Sequence, residues 1–349
     1  MRIIYRYYII AVALLCLMSL ESCQRTELCY EHYPSLTFGL EWEHEWERDY
    51  GMSHFANWDG SHYGFEYDEM RPVRPEWVNV VVNRADGTTT EKLLQPNGGK
   101  ISVDFGAGQS YLLYNGDTEY ILFSDMASLA DARATSTTRT RAGMAYITER
   151  HPDVRSINPP DVLYAAYVDN KHTYGVHDHP KVDVRMQPLV FTYVIRYEFE
   201  AGIEKVSLAR GAIGGMAESV YMRDGKTSDE TAVILYDCEV KPYGCEAKVR
   251  TFGVPGFPDE YYGQGKAAPA SRPYSLNLEV MLRNGETVEF NYDITDQLKN
   301  QPRGGVITVK GLKIDEEKGE IPPTESGFNA DVNDWPAHDI IDLPMVVVF

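Results

Sequence analysis

The stretch "YSLNLEVMLRNGETVEFNYDIT", residues 274–295, decides the fold class. Apolar and polar residues alternate on both sides of Asn284-Gly285, a dipeptide that favours the tight turn of a β-hairpin. Alternate residues of a strand share one face, so each arm offers one face for burial. The residues of these faces are Leu276, Leu278, Val280 and Leu282, then Val288, Phe290, Tyr292 and Ile294. The stretch therefore predicts a hairpin with a buried face on each arm.

The same pattern recurs along the chain. Asp86-Gly87, Asn115-Gly116 and Asp224-Gly225 each follow a run rich in valine, leucine or tyrosine. Long amphipathic helical stretches are nearly absent, and many short strands separated by turn signals indicate β-sandwiches. A chain of 349 residues exceeds the usual size of one domain. We therefore predict an all-β protein with one β-sandwich at residues 28–180 and a second at residues 181–349.

The N-terminal residues 1–22 have the features of a secretory signal peptide. Arg2 and Arg6 precede an apolar run at residues 8–20, and the polar sequence "ESCQRTE" follows. The run is short for a membrane-spanning helix, which needs about 20 apolar residues. A signal peptide is thus predicted in preference to a transmembrane helix.

The sequence "LESC", residues 20–23, resembles a bacterial lipobox. It predicts cleavage between Ser22 and Cys23, with lipid carried on the Cys23 thiol and a tether at residues 23–27. The alternative is an ordinary cysteine that follows a signal peptide. Since several acyl chains hold a protein stably on a bilayer, we expect a soluble body attached to the outer membrane through its lipid.

The net charge of −19 restricts the partners. It argues against nucleic-acid binding and against adhesion to anionic lipid, and it suits a solvated surface protein. The motifs of hydrolases and of phosphate-binding loops are absent, and no carboxylate pair stands out among the many acids. The spacing of cysteines and histidines is not typical of a zinc site. We predict no enzymatic activity, no cofactor and no metal.

Three further features carry predictions. Cys238 and Cys245 bracket a Pro/Gly turn and could form a disulfide across a hairpin or remain two reduced thiols, whereas Cys29 is expected to pack in the first strand. Tyr261 and Tyr262, in "DEYYGQG", are candidate glycan contacts. The small and basic segment 132–144 is predicted to be an exposed loop.

Several segments together resemble a family of Bacteroidales lipoproteins that is related to fimbrillin-type accessory and anchor subunits. They occur in the expected order and are "ELCYEHYP", "YLLYNGDTEYILF", "GGMAESVYM", "YDITDQL", "GGVITVKGLKI" and "GFNADVNDW". The resemblance implies two tandem transthyretin-like (Greek-key) sandwiches, no catalysis, and a role in fimbrial assembly, anchoring or adhesion with pilin-like subunits as partners.

In such systems an incoming strand pairs with the open edge of a neighbour's sheet and satisfies its unpaired backbone groups. The apolar C-terminus "LPMVVVF", residues 343–349, could pair with its own sheet or be donated. The alternative function is that of a surface lipoprotein that binds glycans.

Overall fold

A computed structural model describes residues 34–43, 58–70, 74–104, 108–170, 172–175, 178–258, 273–298 and 301–315. Within these ranges the chain forms strands and a few short helical turns, which confirms the predicted all-β class. The strands are β1 (Ser35–Trp42), β2 (Val78–Arg84), β3 (Thr89–Leu94), β4 (Gly98–Ser102), β5 (Gln109–Asn115), β6 (Ile121–Ser124), β7 (Arg133–Ser136), β8 (Arg155–Ile157), β9 (Tyr164–Asn170), β10 (Lys181–Pro188), β11 (Phe191–Ala201), β12 (Val206–Ala217), β13 (Ser219–Tyr221), β14 (Thr231–Lys241), β15 (Gly244–Thr251), β16 (Ser275–Leu282), β17 (Thr287–Asp293) and β18 (Gly305–Lys313). The helices are α1 (Gly60–Tyr63), α2 (Ala145–Arg150) and α3 (Thr295–Leu298), and the 3-10 turns are Tyr67–Met70 and Ile203–Lys205.

The first sheet has the strand order β3-β2-β5-β9-β10-β1-β4. Strands β9 and β10 pair only at Ala165 with Gln187 and at Tyr164 with Pro188, so the sheet divides into two layers there. Side chains from all seven strands share one apolar core, which includes Phe38 and Tyr111 in an edge-to-face contact. This arrangement is that of a β-sandwich.

The second sheet has the order β17-β16-β12-β14-β15-β11-β18, and β8 pairs with β14. The long strand β14 pairs with β12 along most of its length and with β15 only at residues 239–241. The two layers thus meet at the β14–β15 turn and enclose the largest apolar core among the described residues. Two layers around one core form a second sandwich.

The predicted hairpin at residues 274–295 is confirmed. Leu276, Leu278 and Val280 of β16 lie opposite Tyr292, Phe290 and Val288 of β17, in the register that the alternation requires. The β16 side chains are fully buried, whereas those of β17 are half-buried against the same core. The second arm therefore covers the core from the outermost position of the sheet.

A third, small sheet of order β13-β7-β6 corrects one prediction. Segment 132–144 was predicted to be an exposed loop, but β7 lies within it and Ala132 and Ala134 are fully buried. They join an apolar cluster with Leu112 of β5, Met222 and Phe252. The prediction is wrong because small residues can pack between two sheets, and burial of that kind depends on distant partners.

The division of the chain near residues 180 and 181 stays a prediction. Strand β10 begins at Lys181 and pairs with β1 and β9, which belong to the first sheet. Strand β11, which begins at Phe191, is the next strand along the chain and belongs to the second sheet. The pairing pattern changes between these two strands.

Candidate functional site

Most site residues predicted from the sequence lie outside the described residues. This holds for Ser22 and Cys23 at the cleavage site, for Tyr261 and Tyr262, and for the C-terminal residues 343–349. Their roles stay predictions. Within the described ranges, no helix is long and apolar enough to cross a membrane.

The two cysteines of the second sandwich are free thiols in the structure. Cys245 of β15 lies opposite Val240 of β14. Val240 is two residues beyond Cys238 on the same strand. Burial raises the pKa of Cys245 to about 12, and burial, followed by the neighbouring Cys245, raises that of Cys238 well above its usual value. Both thiols are protonated at neutral pH and are poor nucleophiles. A disulfide between them stays a prediction.

Two of the histidines near residue 175 contact different partners. His179 is hydrogen-bonded through Nδ1 to the Ser35 hydroxyl at 2.8 Å, and His172 Nε2 lies 3.8 Å from an Asp178 carboxylate oxygen. His177 lies outside the described residues. In the part of the chain that the structure describes, no group of three or more acidic, histidine or cysteine side chains is placed to hold a metal ion.

The outer edge of β18 is covered by two glutamine side chains. Gln297 of α3 donates to the Thr308 carbonyl oxygen at 3.1 Å and accepts from the Thr308 N–H at 3.0 Å. Gln301 does the same with Val306, at 2.9 and 2.6 Å. Each amide supplies one donor and one acceptor, as a paired strand would. This part of the edge is therefore already satisfied.

The absence of a side chain at Gly305 leaves room for Gln301 in that position. The backbone φ of Gly305 is 145°, a value that residues with a side chain rarely adopt. A Cβ at this position would lie 1.9 Å from the Gln301 amide oxygen. Sequence reasoning missed this role. The signal was available as two glutamines four residues apart next to an edge strand.

The outer edge of β17 is different. Ile294 donates its N–H to the Tyr274 carbonyl oxygen, and Leu282 donates to that of Glu286. In the antiparallel alternation, residues 288, 290 and 292 then point their backbone groups towards β16, and residues 287, 289, 291 and 293 point theirs outwards. Among the described residues no strand lies beyond β17. Its outward backbone groups form an edge for strand pairing.

Half-buried apolar side chains lie behind this edge. Phe290 of β17 makes an edge-to-face contact with Phe199 of β11, with 5.5 Å between the ring centroids. Val288, Tyr292 and Ile203 also pack on the core without being fully covered. An added strand would satisfy the edge and cover these side chains. The arrangement suits β-augmentation, in which main-chain bonds give affinity and side chains give specificity.

Comparison with known proteins identifies the family of the chain. A family model described as a domain of unknown function (DUF5119) matches residues 62–237. The chain belongs to the DUF5119 family. No curated protein matches this DUF5119 chain.

Among solved structures, a "putative adhesin" from Bacteroides ovatus has the same fold as this DUF5119 chain. It superposes with a TM-score of 0.56 at 18% identity, over 84% of this chain and 96% of that one. A second such protein from Bacteroides ovatus gives 0.45 at 12% identity, over 80% and 88%. The fimbrial anchor protein Mfa2 from Porphyromonas gingivalis gives 0.40 at 10%, over 79% and 90%. The fold of the first Bacteroides ovatus protein is the β-sandwich fold that the fimbrillin-type resemblance implies.

Proposed function

We propose that this protein is a lipid-anchored protein of the outer membrane that serves fimbrial assembly or adhesion as a non-enzymatic subunit. The observation that carries the proposal is the shared fold with the Bacteroides ovatus protein described as an adhesin, which extends over 96% of that chain. The lipobox-like residues 20–23 and the open edge of β17 add a means of attachment and a means of assembly.

Attachment is assigned to Cys23. A tether of only residues 23–27 would hold the body close to the bilayer. Labelling of cells with a palmitate analogue tests this part, with Cys23→Ala as the variant and Cys29→Ala as the matched control. We expect label on the wild type and on the control, and none on Cys23→Ala. Equal labelling of all three proteins would refute the anchor.

Assembly is assigned to the outer edge of β17. The proposed occupant is a strand of a pilin-like partner subunit, which would hydrogen-bond to the outward groups at residues 287–293. The competing occupant is the chain's own residues 343–349. A truncation that ends at residue 342 separates the two cases. We expect the full chain and the truncated chain to retain the partner equally in pull-downs from cells. If the chain's own C-terminus fills the edge instead, only the truncated protein should retain the partner.

A further inference from the structure

A cleft of about 530 Å³ lies where the second sheet meets the residues that precede β6 and β9. Its lining combines charged, polar and apolar side chains from distant parts of the sequence, among them Tyr120, Arg139, Asn158, Asp161, Lys248 and Arg250. The volume is within the range of pockets that bind small molecules. The edge of β17 does not contribute to its lining.

Two cations of β15 face this cleft. Lys248 and Arg250 are alternate residues, so they share one face of the sheet, and both are exposed. The Lys248 ammonium lies 3.7 Å from the centre of the Phe65 ring, and Arg250 lies opposite Thr192 of β11. Neither lies within ion-pair distance of a carboxylate among the described residues, although Lys248 adds to the effect of Lys241 in lowering the pKa of Glu239.

Other cations of the second sheet are neutralised, which makes this pair unusual. The Arg210 guanidinium lies 2.6 Å from a Glu279 oxygen, and the Lys313 ammonium lies 2.7 Å from Glu200. In a chain of net charge −19, carboxylates are abundant. Lys248 and Arg250 share one face of β15 and make no ion pair among the described residues, so they provide a local positive site for an anionic ligand.

The carboxylates of the cleft accept hydrogen bonds from backbone N–H groups of the protein itself. Asp161 accepts the N–H groups of Glu119 and Tyr120 at 2.7 and 2.6 Å. Glu69 accepts the N–H of Glu66 at 2.9 Å. These bonds fix the cleft wall around Tyr120. Arg139 also lines the cleft, and its charge is balanced by Asp237 at 3.3 Å.

The remaining lining indicates the chemical class of the ligand. The half-buried Tyr120, together with Pro159 and Pro160, presents ring surfaces against which the C–H face of a sugar can pack. Strand β11 offers no edge to an extended acidic peptide, because it is already paired on both sides, with β15 and β18. Strand β15 pairs with β14 only at residues 244–246, so beyond these its outer edge has no strand partner among the described residues, and poly-glutamate in the test below separates a peptide from a sugar.

We propose that this cleft binds carboxylated carbohydrate, with Arg250 and Lys248 on the carboxylate and Tyr120 against the sugar ring. The site goes beyond the assembly role, since a surface subunit with it would recognise acidic glycans directly. It is independent of the lipid at Cys23 and of the β17 edge.

The test measures binding of the full mature chain to immobilised polygalacturonate and hyaluronate. Fully methyl-esterified polygalacturonate is the uncharged control ligand. We expect binding to one or both acidic polymers, none to the ester, and weaker binding as salt rises. Arg250→Ala and Lys248→Ala should each weaken binding at least about tenfold, because hydrogen bonds to charged groups are strong. The exposed Lys92→Ala should leave binding unchanged.

Thermal unfolding of each variant separates a lost site from a lost fold. The expected result is unchanged unfolding midpoints for Arg250→Ala, Lys248→Ala and Tyr120→Phe, with affinity lost only in the first two. The proposal is overturned if neither acidic polymer binds or if poly-glutamate binds as tightly as they do. It is also overturned if binding is lost in Tyr261→Ala or Tyr262→Ala and kept in Arg250→Ala.

Discussion

The two outermost strands of the second sheet differ at their outer edges, because the edge of β18 is covered by side chains and the edge of β17 is open among the described residues. On β18, the backbone groups of Val306 and Thr308 are paired by the amides of Gln301 and Gln297. On β17, the outward groups meet no strand among the described residues, and Phe290 behind them is half-buried. Since unprotected edges invite pairing with other chains, a protein that covers one edge and leaves the other open selects where a partner strand can bind.

The largest effect is expected in the core that both edges border. Leu278→Ala removes a fully buried side chain of β16 and should lower the free energy of unfolding by about 2–5 kcal/mol. Phe290→Ala, directly opposite on β17, should cost less because its ring is only half-buried. Denaturant unfolding of the two variants measures the difference. Equal losses would show that the β17 arm is as fully covered as β16.

A smaller loss is expected where β18 is protected. Gln301→Leu keeps the side-chain size but leaves the Val306 N–H and carbonyl oxygen without their amide partner. An unsatisfied, partly buried group costs about 1–3 kcal/mol, and the exposed edge should promote self-association. Denaturant unfolding and light scattering at increasing concentration measure the two effects.

The second glutamine of the pair, Gln297, provides a comparison for Gln301. Gln297→Leu should act in the same direction as Gln301→Leu, because Gln297 makes the equivalent pair of bonds with Thr308. An exposed polar residue of β17 such as Glu289 is the control, and Glu289→Ala should change stability little. The interpretation of β18 as a protected edge fails if both leucine variants match this control.

The smallest change in stability is expected at the open edge, together with the clearest change in binding. Glu289→Pro removes one outward N–H from β17 while leaving the bonds to β16 in place. Glu289→Ala keeps that N–H. Pull-down of pilin-like subunits should fail for the proline variant and succeed for the alanine variant, at similar unfolding midpoints. Retention of the partner by both would place the contact elsewhere.

Local patterns explain what the sequence could predict. The hairpin at residues 274–295 was predicted with its turn and buried faces, since alternation and Asn-Gly are local signals. Segment 132–144 was predicted wrongly, because Ala132 and Ala134 are buried only by distant residues such as Met222. Composition alone could not distinguish a small-residue interface from a loop.

The candidate sites also differ in whether they depend on a local motif or on contacts between distant residues. Cys23 was singled out by a contiguous motif, whereas the glutamine pairing of β18 depends on how α3 lies beside the strand. The cleft joins Tyr120 to Lys248 and Arg250 across more than a hundred residues of sequence. Such convergence is set by the packing of the two sheets, and one sequence does not display it.

The central claim is that the β17 edge receives a strand from another subunit. A photo-crosslinking residue placed at position 289 in the cells that make the protein tests it directly, with the same residue at position 92 on β3 as the control. The account predicts an adduct from position 289 alone, and mass spectrometry should identify its partner as a β-sandwich subunit joined through a strand. An adduct within the chain at residues 343–349, or equal adducts from both positions, would contradict it.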